Sequence, residues 1–333
     1  MVYSSFNNSG LVKVLYFLKS HDTEYLSGQD LSDVLKISRV AVWKHIKKIK
    51  ELGYEIETNK KLGYRLKTNT EKLLPWEITE ELKTRLIGKH AYYFESIDST
   101  QNQALSMASD RNNNGIVIVA EKQNSGRGRI GRKWESPRGG IWFSVILHPK
   151  FDIAVATLFP LAAALALSKA IEKTMNIKTE LKWPNDVTIE GKKVAGILVD
   201  VTLESNKIEE VVLGVGINFA VKSKQIEEVF KENPNFYGAA SLSERNKETR
   251  PIELLRSFLR ELDEIYFTLN AAKTKQIIID WTKRSSTIGK EVQIITENEK
   301  IRGKAIKIDT DGALVVSEGN RNKRIVAGDV LHI

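Results

Sequence analysis

The chain has 333 residues, no cysteine and a formal net charge of +9, with 41% apolar and 28% charged residues. Its length suits two or three domains, and its composition is that of an ordinary globular protein. The lack of cysteine excludes a disulfide framework, a thiolate nucleophile and a thiolate metal site. No signal peptide pattern begins the chain, and the longest apolar run, residues 153–167, is too short to span a membrane. We therefore expect a cytoplasmic protein that does not contact a membrane.

The first predicted domain, residues 1–67, carries more than half of the excess positive charge. It holds 12 Lys and Arg against 7 Asp and Glu, a net +5 in a fifth of the chain. Apolar residues at helical spacing predict three helices, of which the second begins after Ser27 and the third after Ser38. The residues expected to face the core from the second helix are Leu31, Val34 and Leu35.

A predicted β-hairpin follows these helices, with strand alternation at residues 54–58 and 64–66. Three helices, a hairpin wing and a basic third helix are typical of a winged helix-turn-helix domain that binds DNA. In this interpretation the residues that face outward and contact the nucleic acid are Ser38, Arg39, Lys44, His45, Lys47, Lys48, Lys60 and Lys61. The alternative is that these cations form an ordinary solvated surface.

A second, larger domain is predicted over residues 73–285, after the polar linker 68–72. A helix is expected near Thr79–Leu86, and helical stretches are expected at Ala154–Lys173 and Ile252–Leu269. Buried strands are predicted at Ala91–Phe94, Ile116–Ala120, Ile141–Leu147, Val194–Val201 and Val211–Ile217. Helices and strands alternate only loosely, which favours a mixed sheet with helices on one face.

The segment from Gln123 to Trp134 is rich in glycine and arginine. Its glycines at 126, 128 and 131 match the dinucleotide-binding pattern Gly-x-Gly-x-x-Gly. No helix can follow directly, because the next residues include Pro137, Gly139 and Gly140, and a Rossmann domain is therefore excluded. Glycines with three arginines suit closure over a phosphate or carboxylate. The alternatives are a solvent-exposed loop and a second contact with nucleic acid.

Three further polar motifs accompany this loop. The first is Asp98-Ser99-Thr100. The second is Lys182-Trp183-Pro184-Asn185-Asp186, which is followed by Lys193-x-x-Gly196. The third is Gly214-x-Gly216-Ile217-Asn218. In this order, and together with the arginine-rich loop, they resemble the motifs of the biotin protein ligases. With the winged helix-turn-helix domain in front, the chain is similar to the bifunctional members that also repress the biotin operon.

The resemblance implies that the enzyme uses Mg²⁺-ATP to convert biotin to biotinyl-5′-AMP, and then transfers biotin to a lysine of a biotin carboxyl carrier protein. It implies that the adenylate is the corepressor with which a homodimer binds operator DNA. Arg129 and Lys193 would be catalytic. Biotin contacts are implied for Ser99, Thr100, Gln101, Gln123, Arg127, Gly128, Arg129 and Lys193. Contacts with ATP or the adenylate are implied for Arg132, Trp134, Asn185, Asp186, Gly216 and Asn218. No residue is assigned as a metal ligand.

The last predicted domain, residues 286–333, shows strand alternation at 292–294 and 304–308 and an Asp311-Gly312 hairpin signal before residues 313–316. This pattern predicts a small β-barrel and matches the SH3-like C-terminal domain that the resemblance implies. The expected fold is therefore α+β: a winged helix-turn-helix domain, a mixed-sheet domain of the biotin/lipoate ligase type and an SH3-like barrel. Whether the C-terminal end takes part in ATP binding is left open.

Two other functions are compatible with these features. One is a transcription factor without catalytic activity that senses a small acid or a nucleotide. The other is a lipoate–protein ligase, whose substrate carries the same carboxylate as biotin, so that the arginines cannot discriminate between them. One position also departs from the family pattern, since many members have Asn where this chain has Gln101.

Overall fold

A computed structural model describes residues 2–4, 10–230, 237–296, 299–319 and 321–333. Its helices are α1 (Gly10–Lys19), α2 (Gly28–Leu35), α3 (Arg39–Glu51), α4 (Pro75–Thr79), α5 (Thr100–Ala108), α6 (Ile153–Ala156), α7 (Phe159–Met175), α8 (Ser223–Phe230), α9 (Pro251–Asn270) and α10 (Lys275–Arg284). Its strands are β1 (Val2–Ser4), β2 (Glu55–Asn59), β3 (Gly63–Thr68), β4 (Ala91–Phe94), β5 (Val117–Ala120), β6 (Ile141–Leu147), β7 (Glu180–Lys182), β8 (Asp186–Ile189), β9 (Lys192–Glu204), β10 (Lys207–Ile217), β11 (Glu291–Ile295), β12 (Lys300–Ile308), β13 (Leu314–Glu318), β14 (Arg321–Ile325) and β15 (Asp329–His332). None of the described helices is both long and apolar enough to cross a membrane.

Helices α1 to α3 and the hairpin of β2 and β3 form the predicted winged helix-turn-helix domain. Ser27 and Ser38 cap α2 and α3, each accepting a hydrogen bond from the backbone N–H three residues later. Leu31 is fully buried, but the prediction that Val34 faces the core is wrong, because its side chain is 55% exposed. The neighbouring helices cover only the side of α2 that carries Leu31 and the partly buried Leu35.

The helix-turn-helix domain is attached to the central domain by more than its linker. Strand β1 lies at the start of the predicted domain 1–67 but pairs antiparallel with β4 of the central sheet, with Tyr3 opposite Tyr93. The Tyr3 ring packs against the rings of Trp76 and Tyr93, at centroid distances of 5.9 and 6.0 Å. Lys19 of α1 forms an ion pair of 2.7 Å with Glu77 of α4. These contacts fix the orientation of one domain on the other.

An eight-stranded mixed sheet forms the central domain, in the order β1-β4-β5-β6-β10-β9-β8-β7. Strands β4 and β5 run parallel, and the other described neighbours run antiparallel. The strands predicted from the sequence are confirmed, but residues 198–201 of the predicted buried strand 194–201 are half-buried or exposed. Helices α7 and α9 cover one face of the sheet, where they bury Val117 and Val119. The prediction that helices cover one face alone is wrong, because Ala104 and Ala108 of α5 pack on Ile118 on the opposite face.

Two helix predictions also need correction. No helix spans residues 79–86; a short helix, α4, ends at Thr79, and the backbone then turns left-handed at Glu81 and Lys83. The backbone N–H groups of residues 85–87 donate instead to the buried carboxylate of Asp263, at 2.8 to 3.0 Å. The predicted helix 154–173 is divided into α6 and α7, and Pro160 lies in the first turn of α7, where proline is tolerated.

The C-terminal domain is a five-stranded antiparallel sheet in the order β14-β13-β12-β11-β15. The strands predicted here are confirmed, and their apolar side chains share a continuous core with the central domain. Trp183 holds the two domains together. Its side chain is 1% exposed, its indole N–H donates to the carbonyl of Gly312 at 3.0 Å, and its backbone N–H donates to Thr287 Oγ1 at 3.1 Å. Strand β15 thereby lies beside the central sheet.

Candidate active site

A cavity of about 350 Å³ lies between strands β9 and β10, the arginine-rich loop (residues 123–134) and strand β15. The residues predicted to contact biotin, ATP or the adenylate all line it, with the exception of Asn218. Asn218 is buried behind the cavity wall, where its backbone N–H donates to the carbonyl of Val194 at 2.8 Å. It supports the strand segment that carries Lys193 and does not face the cavity itself.

Polar side chains at the start of α5 form a hydrogen-bonded network at one end of the cavity. Thr100 Oγ1 donates to Gln123 Oε1 at 3.1 Å and lies 3.0 Å from Ser144 Oγ. Ser144 Oγ donates to Gln101 Oε1 at 2.9 Å, and Gln101 Nε2 donates to the carbonyl of Val212 at 3.0 Å. Because these groups are buried and paired with one another, they hold fixed positions at this end of the cavity.

The sequence departure at Gln101 is accommodated by a glycine opposite it. A Cβ atom on Gly214 would lie 2.5 Å from Gln101 Oε1, so a side chain at position 214 would displace the amide. The Ser144 hydroxyl that contacts Gln101 was missed from the sequence. A lone serine inside the otherwise apolar strand 141–147 was the signal that could have indicated it.

The arginine-rich loop is held in place by its own backbone and by two other parts of the chain. Arg127 and Lys133 pair as an isolated antiparallel bridge. Arg129 donates to Asn185 Oδ1 at 2.9 Å and to the carbonyl of Gly328 at 3.3 Å. Arg129 is half-buried, and this burial lowers the pKa of its guanidinium.

The C-terminal domain contributes directly to the cavity. Arg132 of the loop forms an ion pair with Asp329 of β15, and Asp329, Val330 and Leu331 line the cavity wall. The sequence left open whether this end of the chain takes part in the site. The structure places three of its residues there, because Trp183 anchors the C-terminal sheet beside the central one.

Two lysines and one carboxylate form the charged centre of the cavity. Lys193 Nζ lies 2.6 Å from Asp186 Oδ1, and the hydroxyl of Tyr237 donates to Asp186 Oδ2 at 2.6 Å. Lys182 Nζ lies 3.3 Å from the centroid of the Tyr237 ring. Burial lowers the pKa of Lys182 to about 8, so its ammonium group is poorly solvated. Two cations around a single carboxylate leave a positive surplus that suits an anion.

Tyr237 is a site residue that could not be identified from the sequence. Burial raises the pKa of Tyr237 well above its ordinary value, and the Asp186 carboxylate adds to this shift, so the hydroxyl stays protonated and serves as a donor. The residue belongs to the polar connection between α8 and α9 and carries no recognisable spacing. Its place in the site depends on the tertiary fold alone.

Trp134 covers strands β9 and β10 at the floor of the cavity. A Cβ atom on Gly216 would lie 2.4 Å from the indole Nε1, and one on Gly196 would lie 3.0 Å from the six-membered ring. The indole N–H of Trp134 is buried and has no hydrogen-bond partner among the described residues. A buried donor without a partner is costly, and a ligand acceptor in the cavity would satisfy it.

We expect Gly216→Ala to lower the adenylate formation implied by the resemblance to biotin protein ligases roughly tenfold, because overpacking by one methyl group costs about 1–3 kcal/mol and here would push Trp134 off the strands. The measurement is biotin-dependent release of pyrophosphate. Gly28→Ala is the matched control, since its added methyl group would lie 3.8 Å from the nearest heavy atom. Unchanged release in the Gly216 variant would contradict the assigned position of Trp134.

The residues predicted to contact DNA fall into two groups. Arg39, Lys44 and Lys47 are exposed on α3, and Lys60 and Lys61 are exposed at the turn of the wing. The remaining three have other contacts: Ser38 caps α3, Lys48 pairs with Glu51 at 3.2 Å, and His45 packs against Gly10 of α1. His45 faces outward only in part, because its ring is half-buried beside Gly10, and burial lowers its pKa.

Comparison with known proteins agrees with this three-part architecture. The model of the biotin/lipoate A/B protein ligase family matches residues 93–218, a helix-turn-helix domain model matches residues 11–65, and the model of the biotin protein ligase C-terminal domain matches residues 287–332. The chain is 35% identical over 309 residues to the bifunctional ligase/repressor BirA of Bacillus spizizenii, covering 92% of this chain and 94% of the relative.

Two further similarities cover less of the chain. The biotin–[acetyl-CoA-carboxylase] ligase of Mycobacterium tuberculosis is 33% identical over 233 residues, which are 68% of this chain and 82% of that protein. The crystallised biotin protein ligase of Aquifex aeolicus, in complex with biotin and ATP, superimposes with a TM-score of 0.62 at 29% identity, covering 72% of this chain and 97% of that chain. On the extent of these matches, this chain belongs to the biotin protein ligase family, among the members that carry an N-terminal helix-turn-helix domain.

Proposed function

We propose that this protein joins biotin to a lysine of a carrier protein through biotinyl-5′-AMP, and that it represses transcription with the adenylate bound. The observation that carries the catalytic part is the cavity in which Arg129, Lys182 and Lys193 converge beside the indole N–H of Trp134, which has no hydrogen-bond partner in the described part of the chain. Such a site suits an anion, over which the arginine-rich loop would close. The relatives named for biotin ligation support the choice of substrate.

In the first step, a carboxylate oxygen of biotin attacks the α-phosphorus of ATP. A bond forms between the carboxylate oxygen and the α-phosphorus. The bond from the α-phosphorus to the oxygen that bridges to the β-phosphate breaks, and pyrophosphate leaves. The two reactants are both anions, so the protein must cancel their repulsion before they can meet. Arg129 and Lys193 supply positive charge inside a buried site, where charge is more effective than in water. The cavity also fixes the reactants in position.

In the second step, the amine of the carrier lysine attacks the carbonyl carbon of the adenylate, and AMP leaves. The mixed anhydride would hydrolyse in water, so the loop that carries Arg127, Arg129 and Arg132 must keep water out while the carrier arrives. No cysteine is available to form an enzyme thioester, and transfer is therefore direct. The Mycobacterium relative is named for acetyl-CoA carboxylase, and we propose a biotin-dependent carboxylase as the source of the carrier.

We propose that Mg²⁺ enters with ATP. The described residues hold no group of three or more His, Asp or Glu side chains that could bind a metal ion alone. The cavity does contain the carboxylates of Asp186 and Asp329, and one or two carboxylates together with substrate phosphates are a usual environment for Mg²⁺. When bound, the ion would neutralise phosphate charge, and Asp186 and Asp329 are the residues that would hold it.

One assay separates the catalytic alternatives. The protein is mixed with Mg²⁺-ATP and either biotin or lipoate, and pyrophosphate is measured. Release with biotin alone supports biotin ligation, whereas release with lipoate alone would identify a lipoate ligase. No release with either would favour the transcription factor without catalytic activity. Transfer is then followed by the mass of an added biotin carboxyl carrier domain.

We propose that the repressor is a homodimer, because a symmetric operator requires a two-fold protein. Residues 198–204 of β9 pair with β10 on one side and have no strand partner on the other among the described residues. Such an edge can pair with the same edge of a second copy. Sedimentation with and without biotin and ATP tests this proposal. We place the protein in the cytoplasm on its cysteine-free sequence.

For DNA binding, we expect Lys47→Ala to reduce the slope of log affinity against log salt by about one. The exposed Lys47 ammonium would release one counterion from a phosphate, and alanine removes that contribution. The measurement is fluorescence anisotropy with duplex DNA at several salt concentrations. Lys273→Ala, at an exposed lysine between α9 and α10, is the control. Equal slopes for the two variants would contradict the assigned surface.

A further inference from the structure

We propose that Val40 and Trp43 of α3 contact the 5-methyl groups of thymine in the major groove, and that these two apolar side chains contribute to the choice of operator sequence. This inference rests on the proposed DNA binding. It adds two residues to the interface that charge alone does not indicate. Both are among the most exposed large apolar side chains of the chain: Val40 is 63% exposed and Trp43 is 55% exposed.

Val40 lies on the side of α3 that would face the DNA. Val42, Ile46 and Ile49 form the buried side of α3. Residues 40, 44 and 47 follow the spacing i, i+4, i+7 on the opposite side, so Val40 shares one stripe with Lys44 and Lys47. It also lies in the first turn of α3, and the first residues of a recognition helix are those that approach base edges.

Trp43 extends the same apolar surface. It lies three residues after Val40, within reach on the helix surface, and Lys47 Nζ lies 5.9 Å from the centroid of its ring. The ring is therefore adjacent to a cation that would contact a phosphate. This arrangement places apolar surface toward the groove and positive charge toward its walls.

The charge around the two residues favours DNA over a protein as the occupant. Arg39, Lys44 and Lys47 surround the patch, and Lys60 and Lys61 lie on the wing of the same domain. A duplex supplies the complementary phosphates, and in the major groove thymine presents the one apolar group, its methyl. An apolar patch inside a cationic surface fits a sequence with thymines at the contacted positions.

The experiment uses the full-length protein with biotin and Mg²⁺-ATP. A tight-binding duplex is first selected from a random pool. Each thymine in it is then replaced by uracil, which removes the methyl group and leaves the base pairing unchanged. For the unaltered protein we expect binding to weaken about fourfold at each contacted thymine, the factor that burial of one methyl-sized group gives.

The variants Val40→Ala and Trp43→Ala are then tested against the thymine duplex and the uracil duplexes. In each variant we expect thymine and uracil to give the same affinity at the position which that side chain contacts. The slope of log affinity against log salt should stay unchanged. Val326→Ala, a valine 50% exposed on the C-terminal domain, is the matched control and should keep the full uracil effect. Thermal melting of each variant checks that the fold is retained.

The outcomes separate the two proposals. If no duplex is selected, the proposed DNA binding itself fails. If a duplex is selected but uracil has the same affinity as thymine at every position, DNA binding stands and the inference about Val40 and Trp43 is overturned. It is also overturned if the two alanine variants change the oligomeric state while they keep the uracil effect, because the patch would then bind protein.

Discussion

Arg129→Ala is expected to reduce biotin-dependent release of pyrophosphate by about 100- to 1,000-fold, the loss usually seen when one preorganised donor to a developing charge is removed. Arg129 is the loop arginine that is half-buried and held from two sides, by Asn185 and by the carbonyl of Gly328. Its guanidinium therefore requires no reorganisation before it meets the reacting phosphate. Single-turnover release of pyrophosphate measures the effect on the chemical step.

Arg111→Ala is the control for this substitution. Arg111 is an arginine on the surface, 68% exposed in its side chain and paired with Glu209. We expect its loss to change stability by at most about 1 kcal/mol and to leave pyrophosphate release unchanged. If the Arg129 variant folds as the parent does and still releases pyrophosphate at the parent rate, Arg129 does not stabilise the reacting phosphate.

Lys193→Ala should weaken biotin binding by about 10- to 100-fold, in line with a charge-assisted hydrogen bond of about 1.5–3 kcal/mol. The ammonium of Lys193 now pairs with Asp186 at 2.6 Å, and a biotin carboxylate would share it. Alanine also leaves the Asp186 carboxylate with Tyr237 as its remaining hydrogen-bonding partner in the cluster. Calorimetry with biotin in the absence of ATP isolates this binding step.

The adjacent residue offers the control. Lys192 has its side chain 54% exposed and pairs with Glu227 on the surface. Lys192→Ala changes the net charge by the same amount one position away, without touching the cavity. A parent-like biotin affinity in the Lys193 variant, or an equal loss in both variants, would show that position 193 does not contact the ligand.

The sequence predicted much of the fold because its strongest signals are local. The serine caps of α2 and α3, the apolar runs of β5, β6, β9 and β10, and the Asp311-Gly312 hairpin all depend on neighbours within a few residues. The cavity residues of the arginine-rich loop and of the Lys-Trp-Pro-Asn-Asp motif were accessible for a related reason. Both are dense local clusters of unusual composition.

The missed features depend on distant partners. The helix expected at 79–86 gave way to an irregular segment because Asp263, far along the chain, accepts its backbone N–H groups. Tyr237 enters the site through Asp186, and Asp329 enters it through Arg132. His45 was expected outside because helical spacing cannot show that Gly10 leaves room for its ring. No periodicity encodes contacts of this kind.

Strand β1 determines how far the DNA-binding module can be exchanged between proteins. The helix-turn-helix fold lies between β1 and the linker, and β1 is the outermost strand of the central sheet. A single cut after residue 67 would remove that strand, open the edge of β4 and uncover the apolar rings of Trp76 and Tyr93. A chimera that keeps the first strand and replaces only the helices and wing preserves the sheet. Replacing the DNA-binding domain of this enzyme by another one therefore needs two junctions, one after β1 and one at the linker.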